Sequence, residues 1–356
     1  MQFLESAVRE YNLQSRGHFF SMPQAQPMNH VYRAVVAYHG GFGSGERTAL
    51  MQACEGGDYL AAGKLLVDGA EVDAVGPEGF TALMFAASNG HVLCARALLE
   101  KGAAVDARNN EGVTALIKAA EAGHVLCARD LLVNGAAVDA QNNEGWTALM
   151  YSAQNGHDLC ARELLKEKAD PNKAAADGFT ALMAAAQAGH EQVARDLLEN
   201  GAAVDAQNNE GWTALMISAQ NGDDLCVRVL LRKGPNLEAT QEQGFTALMI
   251  SAENGHEQCV WELLEKGAAT DAPNNDGNTA FMLATQNGHE GVCALIGAGA
   301  APNIDTIQGN PAHTLSTNPV VRTRFVQALR RTDLRRSGST DSDVPSDDSH
   351  DLEVST

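Results

Sequence analysis

The sequence predicts an all-α repeat solenoid, and three observations carry that prediction. The string Gly-x-Thr-Ala-Leu begins at Gly79, Gly112, Gly145, Gly178, Gly211 and Gly244, each 33 residues after the last. Each copy then shows two stretches of helical apolar spacing, each closed by a glycine except the second stretch of the copy at Gly145, where Lys168 stands in its place. Hydrophobic residues make up 44% of the 356-residue chain but aromatics only 5%, so its core must be built from small aliphatic side chains. Thin, closely stacked helices suit that composition better than a deep globular interior. A fixed period of this length marks units that cannot bury both faces alone and therefore stack on their neighbours.

The elements follow in order. Residues 1–45 precede the periodicity and carry helically spaced apolar residues at Phe3, Leu4, Ala7, Val8 and Tyr11, and again at Val31, Ala34, Val35 and Tyr38. They are expected to form an N-terminal capping segment over the first repeat. Eight repeats then span 46–310, starting at 46, 79, 112, 145, 178, 211, 244 and 277; the first reads Glu46-Arg47-Thr48-Ala49-Leu50 and the last Gly-Asn-Thr-Ala-Phe. Gly135 to Met150 recurs verbatim at Gly201 to Met216, as if a two-repeat unit had been duplicated. In the copy starting at Gly79, Thr81 is the expected N-cap, its hydroxyl serving an orphan amide of the first turn. Leu83, Ala86 and Ala87 share one face of the helix, and Gly90 supplies the left-handed residue that ends it. A second helix follows with Cys94, Ala97 and Leu98 turned inward, and Gly102 ends that one. Val105 to Glu111 then turns back through polar residues. After the repeats, Asn318-Pro319 is an N-cap followed by a first-turn proline. Val321, Phe325, Ala328 and Leu329 make an apolar stripe, so 311–336 is expected to be a C-terminal cap helix. Residues 337–356 are Ser/Asp-rich and acidic, and are expected to be disordered.

A 33-residue period with a Thr-x-Leu start resembles the ankyrin-repeat family. Asn-Gly-His at Asn89 to His91, Leu-Leu-Glu-Lys-Gly-Ala at Leu98 to Ala103, and Val105-Asp106 strengthen the resemblance, which covers about three quarters of the chain. It implies an ankyrin-repeat array of helix-turn-helix units joined by hairpin-like loops, with a concave groove open to a protein ligand. The sequence departs from the family's Thr-Pro-Leu-His at two positions. Alanine replaces proline throughout, and methionine replaces histidine at Met51, Met84, Met150, Met183, Met216, Met249 and Met282.

Several function classes are disfavoured. A formal charge of −20 repels phosphate backbones and anionic lipid, so no nucleic-acid partner is expected. No run of 18 apolar residues exists, so no membrane insertion is expected. The N-terminus carries Glu5 and Glu10 without an apolar core, unlike a signal peptide. Free thiols and this composition fit a cytoplasmic or nuclear protein, and a monomer is expected. His91, His124, His157, His190, His256 and His289 recur in one register, with Asp223 in the gap. Helices about 8–10 Å apart cannot bring two such rings to one ion at bonds of about 2 Å, so loop histidines bonded to backbone are expected rather than a metal site. Cys94, Cys127, Cys160, Cys226 and Cys259 share a position with Val193 and read as small buried residues. The methionines, next to the buried leucine, read as packing. With no nucleophile–base set, paired-carboxylate motif or phosphate-binding loop, the chain is expected to be no enzyme and to hold no cofactor.

Two features point to function. The residue after the repeat glycine is Phe80, Val113, Trp146, Phe179, Trp212, Phe245 and Asn278 in successive copies. A second position on the first helix carries Phe85, Tyr151, Ile217 and Ile250, among others. The resemblance puts both positions on the concave side, where exposed aromatics beside aliphatics would make binding hot spots. Phe80, Phe85, Trp146, Tyr151, Phe179, Trp212, Ile217, Phe245 and Ile250 are therefore the expected partner-binding residues, with bracing of neighbouring fingers as the plainer reading. Glu78, Glu111, Glu144, Asp177, Glu210 and Asp276 line the same edge and favour a protein ligand with a basic and apolar contact surface. The second feature is the C-terminal arm. Arg322, Arg324, Arg330, Arg331, Arg335 and Arg336 make a basic patch followed by the acidic tail, which reads as a latch, an import signal or a solvated end. The resulting expectation is a non-enzymatic protein–protein interaction module acting as adaptor or scaffold. The alternative is a regulatory or inhibitory subunit that blocks an enzyme or transcription factor.

Overall fold

Threonine decides where each helix pair begins. In all eight repeats the Thr-Ala-Leu threonine holds an extended backbone, and its Oγ1 accepts from the amide three residues on, at 3.2–3.4 Å. The alanine that stands where the family has proline takes the first helical position, which its high helix propensity suits. A computed structural model describes residues 47–289. The capping helices expected at 1–45 and 311–336, the second half of the eighth repeat, and the tail at 337–356 lie outside the described residues.

Fifteen α-helices run through this span: α1 Ala49–Glu55, α2 Tyr59–Val67, α3 Ala82–Ser88, α4 Val92–Glu100, α5 Ala115–Glu121, α6 Val125–Val133, α7 Ala148–Gln154, α8 Asp158–Lys166, α9 Ala181–Ala188, α10 Glu191–Glu199, α11 Ala214–Asn221, α12 Asp224–Leu231, α13 Ala247–Glu253, α14 Glu257–Glu265 and α15 Ala280–Gln286. Odd-numbered helices are the first of each repeat and even-numbered ones the second. Each first helix packs on its own second helix and on the next first helix, and each second helix packs on the next second helix. The architecture is the predicted all-α repeat solenoid. Among the described residues no β-strand forms; one isolated bridge joins Ala174 to Thr180.

The core is the row between the two helix layers. Leu98, Leu131, Leu164, Leu197, Leu230 and Leu263 are fully buried, and burying a leucine is worth about 1.5–3 kcal/mol. The methionines are buried beside them, and so are the six described cysteines, as expected of packing residues. Burial pushes the Cys127 and Cys160 thiols up to about 11, so neither is poised as a nucleophile. One detail differs from the single-copy reading. Ala95 is buried while Ala97 is only half-buried, because the inward stripe of α4 runs Cys94, Ala95, Leu98.

Stability lies in the joints between repeats, which share four kinds of polar link. Between finger loops, the amides of Asn110, Asn143, Ala176, Asn209, Glu242 and Asn275 donate to carbonyls one repeat back, at 2.8–3.1 Å. Asp73, Asp106 and Asp139 accept from the amides of Ala104, Ala137 and Asp170 in the next repeat. Arginines on the second helices pair forward, Arg96 with Asp130, Arg129 with Glu163 and Arg162 with Asp196, at 2.7–2.9 Å. Histidine supplies the fourth. Nε2 of His91, His157, His190 and His256 bonds the carbonyls of Glu55, Glu121, Gln154 and Gln220, at 3.0–3.1 Å. The rings also lie where a Cβ on the preceding repeat's glycine would sit; at Gly90 it would come 2.7 Å from His124. Burial holds His124 below the usual histidine range, against the opposing pull of its bond to Ser88.

Candidate partner-binding face

Each finger loop turns on an asparagine. Asn109, Asn142, Asn208 and Asn274 each accept at Oδ1 from the amides two and four residues on, at 2.8–3.0 Å. This side chain does the work of a backbone turn and fixes the following residue, Val113, Trp146, Trp212 or Asn278, against the first helix. In the fourth repeat Ala175 stands at that place, and Asp177 Oδ1 accepts from Phe179 instead.

The rings so placed face inward, which corrects the expectation of exposed hot spots. Phe80, Phe85, Trp146, Phe179, Ile217 and Ile250 are buried, and Tyr151, Trp212 and Phe245 are half-buried. At Trp146 the cause is a stack that crosses repeats. The Trp146 ring lies 5.2 Å from Tyr151 in its own repeat and 6.0 Å from Phe179 in the next, nearly parallel to it. Phe80 lies 5.3 Å from Phe85, with Lys118 over its ring at 5.7 Å and Arg47 over Phe85 at 5.0 Å. The Tyr151 hydroxyl accepts from Asn142 at 3.1 Å, and burial holds its pKa above the ordinary tyrosine range. Most of the ladder braces the fingers, leaving Tyr151, Trp212 and Phe245 partly open to a ligand.

What this face presents outward is mainly carboxylate and amide, with Arg108 exposed and Lys173 half-buried among the fingers. Glu78, Glu111, Asp177, Glu210 and Asp276 are exposed at the finger tips, and Glu144 is half-buried among them. Glu55, Glu121 and Glu253 add acids along the first helices, interspersed with Gln52, Gln154, Gln187 and Gln220. Lys118 is the only lysine or arginine on the eight first helices described, and its Nζ is held by Glu121 at 2.9 Å. Arg47, just ahead of α1, pairs with Glu55. Glu253 has its pKa raised by burial. Among the described residues no group of three or more His, Cys, Asp or Glu side chains is placed to hold a metal ion. No described helix is long and apolar enough to cross a membrane.

A row of helix pairs, joined by a repeated set of polar links and offering one long acidic face, is the form of a recognition module. The chain belongs to the ankyrin-repeat family: the family model described as ankyrin repeats (three copies) matches residues 29–109, 102–175, 164–241 and 226–306. Such repeats are generally protein-interaction modules. The chain is similar to the crystal structure of the human ASB11 ankyrin repeat domain, at 28% identity and a TM-score of 0.58, over 63% of this chain and 99% of that one. No curated protein matches the chain.

Proposed function

We propose that this protein is a non-enzymatic adaptor or scaffold whose first-helix and finger face holds a basic segment of a partner protein. The observation that carries the reading is the charge of that face. Acids recur along the finger tips repeat after repeat, while Lys118 and Arg47 are each tied to a neighbouring carboxylate and the finger arginine Arg108 donates to the Gln141 carbonyl at 2.7 Å. A cationic segment approaching this face gains attraction from several carboxylates at once and meets few like charges. The open edges of Tyr151, Trp212 and Phe245 supply a smaller apolar contact than nine exposed residues would have done.

The test is a titration of the full chain with a lysine- and proline-rich peptide, which cannot form a helix, at two salt concentrations. Glu111→Gln, Glu144→Gln and Glu210→Gln together are expected to weaken binding about tenfold or more and to flatten its salt dependence. Unchanged affinity in the triple variant would refute the reading.

A further inference from the structure

The acidic face is not uniform along the array. Its cations, Arg47, Arg108, Lys118 and Lys173, all stand on the first four repeats. The fingers of repeats five to seven carry the exposed acids Asp205, Glu210, Glu238, Glu242, Asp271 and Asp276, and neither those fingers nor α9, α11, α13 and α15 hold a lysine or arginine. Among the described residues the ion pairs of these repeats, Arg195 with Glu191 and Arg228 with Asp224 and Glu262, lie on the second helices and engage none of those finger acids. Arg232, Lys233 and Lys266 stand just after α12 and α14, outside the fingers. The half of the face nearest the C-terminal end of the array is thus the half without cations.

We propose that the chain's own basic arm, Arg322 to Arg336, occupies this half of the face when no partner is bound, so that arm and partner compete for one site. The inference rests on the face being a recognition surface for cations. Charge complementarity is its first support. The arm holds six arginines in fifteen residues against one acid, Asp333, and the fingers of repeats five to seven offer it several carboxylates and no like charge.

Reach is the second. The repeats are expected to end at 310, and Arg322 follows twelve residues later. Fifteen residues span at most about 50 Å, and repeats step about 8–10 Å, so Asp276, Glu242 and Glu210 all come within the arm's length. Attachment to the array gives the arm an effective concentration on the order of millimolar, against which a free basic segment must compete. The tail that follows the arm is acidic too, from Asp341 to Glu353. The finger carboxylates are held in place by the array, so docking there fixes one segment of chain where pairing with the tail fixes two.

The test compares the full chain with an arginine variant, Arg330→Gln, Arg331→Gln, Arg335→Gln and Arg336→Gln. A lysine variant of equal charge change, Lys64→Gln, Lys101→Gln, Lys233→Gln and Lys266→Gln, alters exposed residues on or just after the second helices. At low salt the arginine variant is expected to bind the lysine- and proline-rich peptide about fivefold or more tightly than the parent, and the lysine variant within about twofold of it. Without peptide, amides of the fingers around Glu210, Glu242 and Asp276 are expected to exchange faster in the arginine variant than in the parent, with those around Glu78 and Glu111 unchanged. High salt is expected to raise exchange at the same three fingers in the parent. Equal peptide affinity or equal finger exchange in the parent and the arginine variant would overturn the latch and leave the acidic face standing. So would an equal gain in affinity by the lysine variant, since bulk charge would then account for it. A peptide that bound neither the parent nor the arginine variant would refute the face and the latch together. A parent that sediments as a dimer, with the arginine variant a monomer, would place the arm on a second copy and overturn the proposal as well.

Discussion

Helix α8 ends where the other described second helices end on glycine, but with Lys168 in that place. The six glycines at this position, Gly69, Gly102, Gly135, Gly201, Gly234 and Gly267, have φ between 67 and 91°; Lys168 is held in the same left-handed region at φ 71°. Its amide donates to Leu165 at 3.1 Å and that of Ala169 to Leu164 at 3.0 Å, the paired bonds of a Schellman cap. A Cβ built on any of the six glycines meets nothing within 4 Å, so the lysine's difficulty is its own backbone and not crowding. A left-handed conformation costs a non-glycine residue about 1–2 kcal/mol, and glycine's extra chain entropy offsets about 0.5–1 kcal/mol of the relief. Lys168→Gly is therefore expected to stabilise the protein by about 0.5–1 kcal/mol, raising Tm by about 1–4 °C. Lys168→Ala keeps the strain and removes only a cation near the helix end, so it should lower stability by less than about 1 kcal/mol. Urea unfolding and thermal melts of the three proteins decide the matter. A glycine variant less stable than the alanine variant would refute the argument. Hydrogen exchange adds a second readout. Amides at 166–177 should exchange faster than those at 133–144, because Ala175 cannot give the finger the side-chain acceptor that Asn142 gives its own.

Three further outcomes follow. Trp146→Ala, which empties a buried, doubly stacked position, should cost about 3–5 kcal/mol in urea unfolding; a change confined to ligand affinity would restore the hot-spot reading. The joint between repeats five and six should open first under native-state hydrogen exchange, because Asp223 replaces the histidine there and Val229 leaves Arg195 no carboxylate across the joint. Asn221 alone reaches the waiting Gln187 carbonyl, at 3.0 Å, so earlier opening at any other joint counts against this ranking. Glu253 holds its proton more tightly folded than unfolded, so the stability it contributes is full below the ordinary 4.5 and is lost as pH rises through its folded pKa. Glu253→Gln should raise Tm at neutral pH but not at pH 4, and a drop at neutral pH would contradict the sign.

The fold was legible because its signals are local. A threonine cap, a glycine stop and an inward leucine each act within a turn or two, and 33-residue repetition turned weak cues into a register. The histidines were legible as backbone-bonded for the same reason of spacing, and the methionines and cysteines as packing. The left-handed Lys168 was readable from the glycine it replaces. Exposure of the aromatics was not legible from one copy, because the residue that covers Trp146 is Phe179, one repeat away. The half-buried place of Ala97 likewise depends on where the neighbouring second helix lies. The exposed second-helix leucines Leu60, Leu93, Leu126, Leu159 and Leu225 carried a signal that went unread: an apolar residue recurring one position off the inward stripe has no place in the core. The finger-tip acids could be read as a row, but that Lys118 and Arg47 are tied to acids of the same face required the structure.

The most direct test of the acidic recognition face is a hydrogen-exchange footprint of the full chain with the lysine- and proline-rich peptide bound. Protection is expected at the finger loops around Glu111, Glu144, Asp177 and Glu210 and at the C-terminal ends of α5, α7, α9 and α11, with the second helices unchanged. Protection confined to the second helices, with the fingers exchanging as in the free chain, would contradict it.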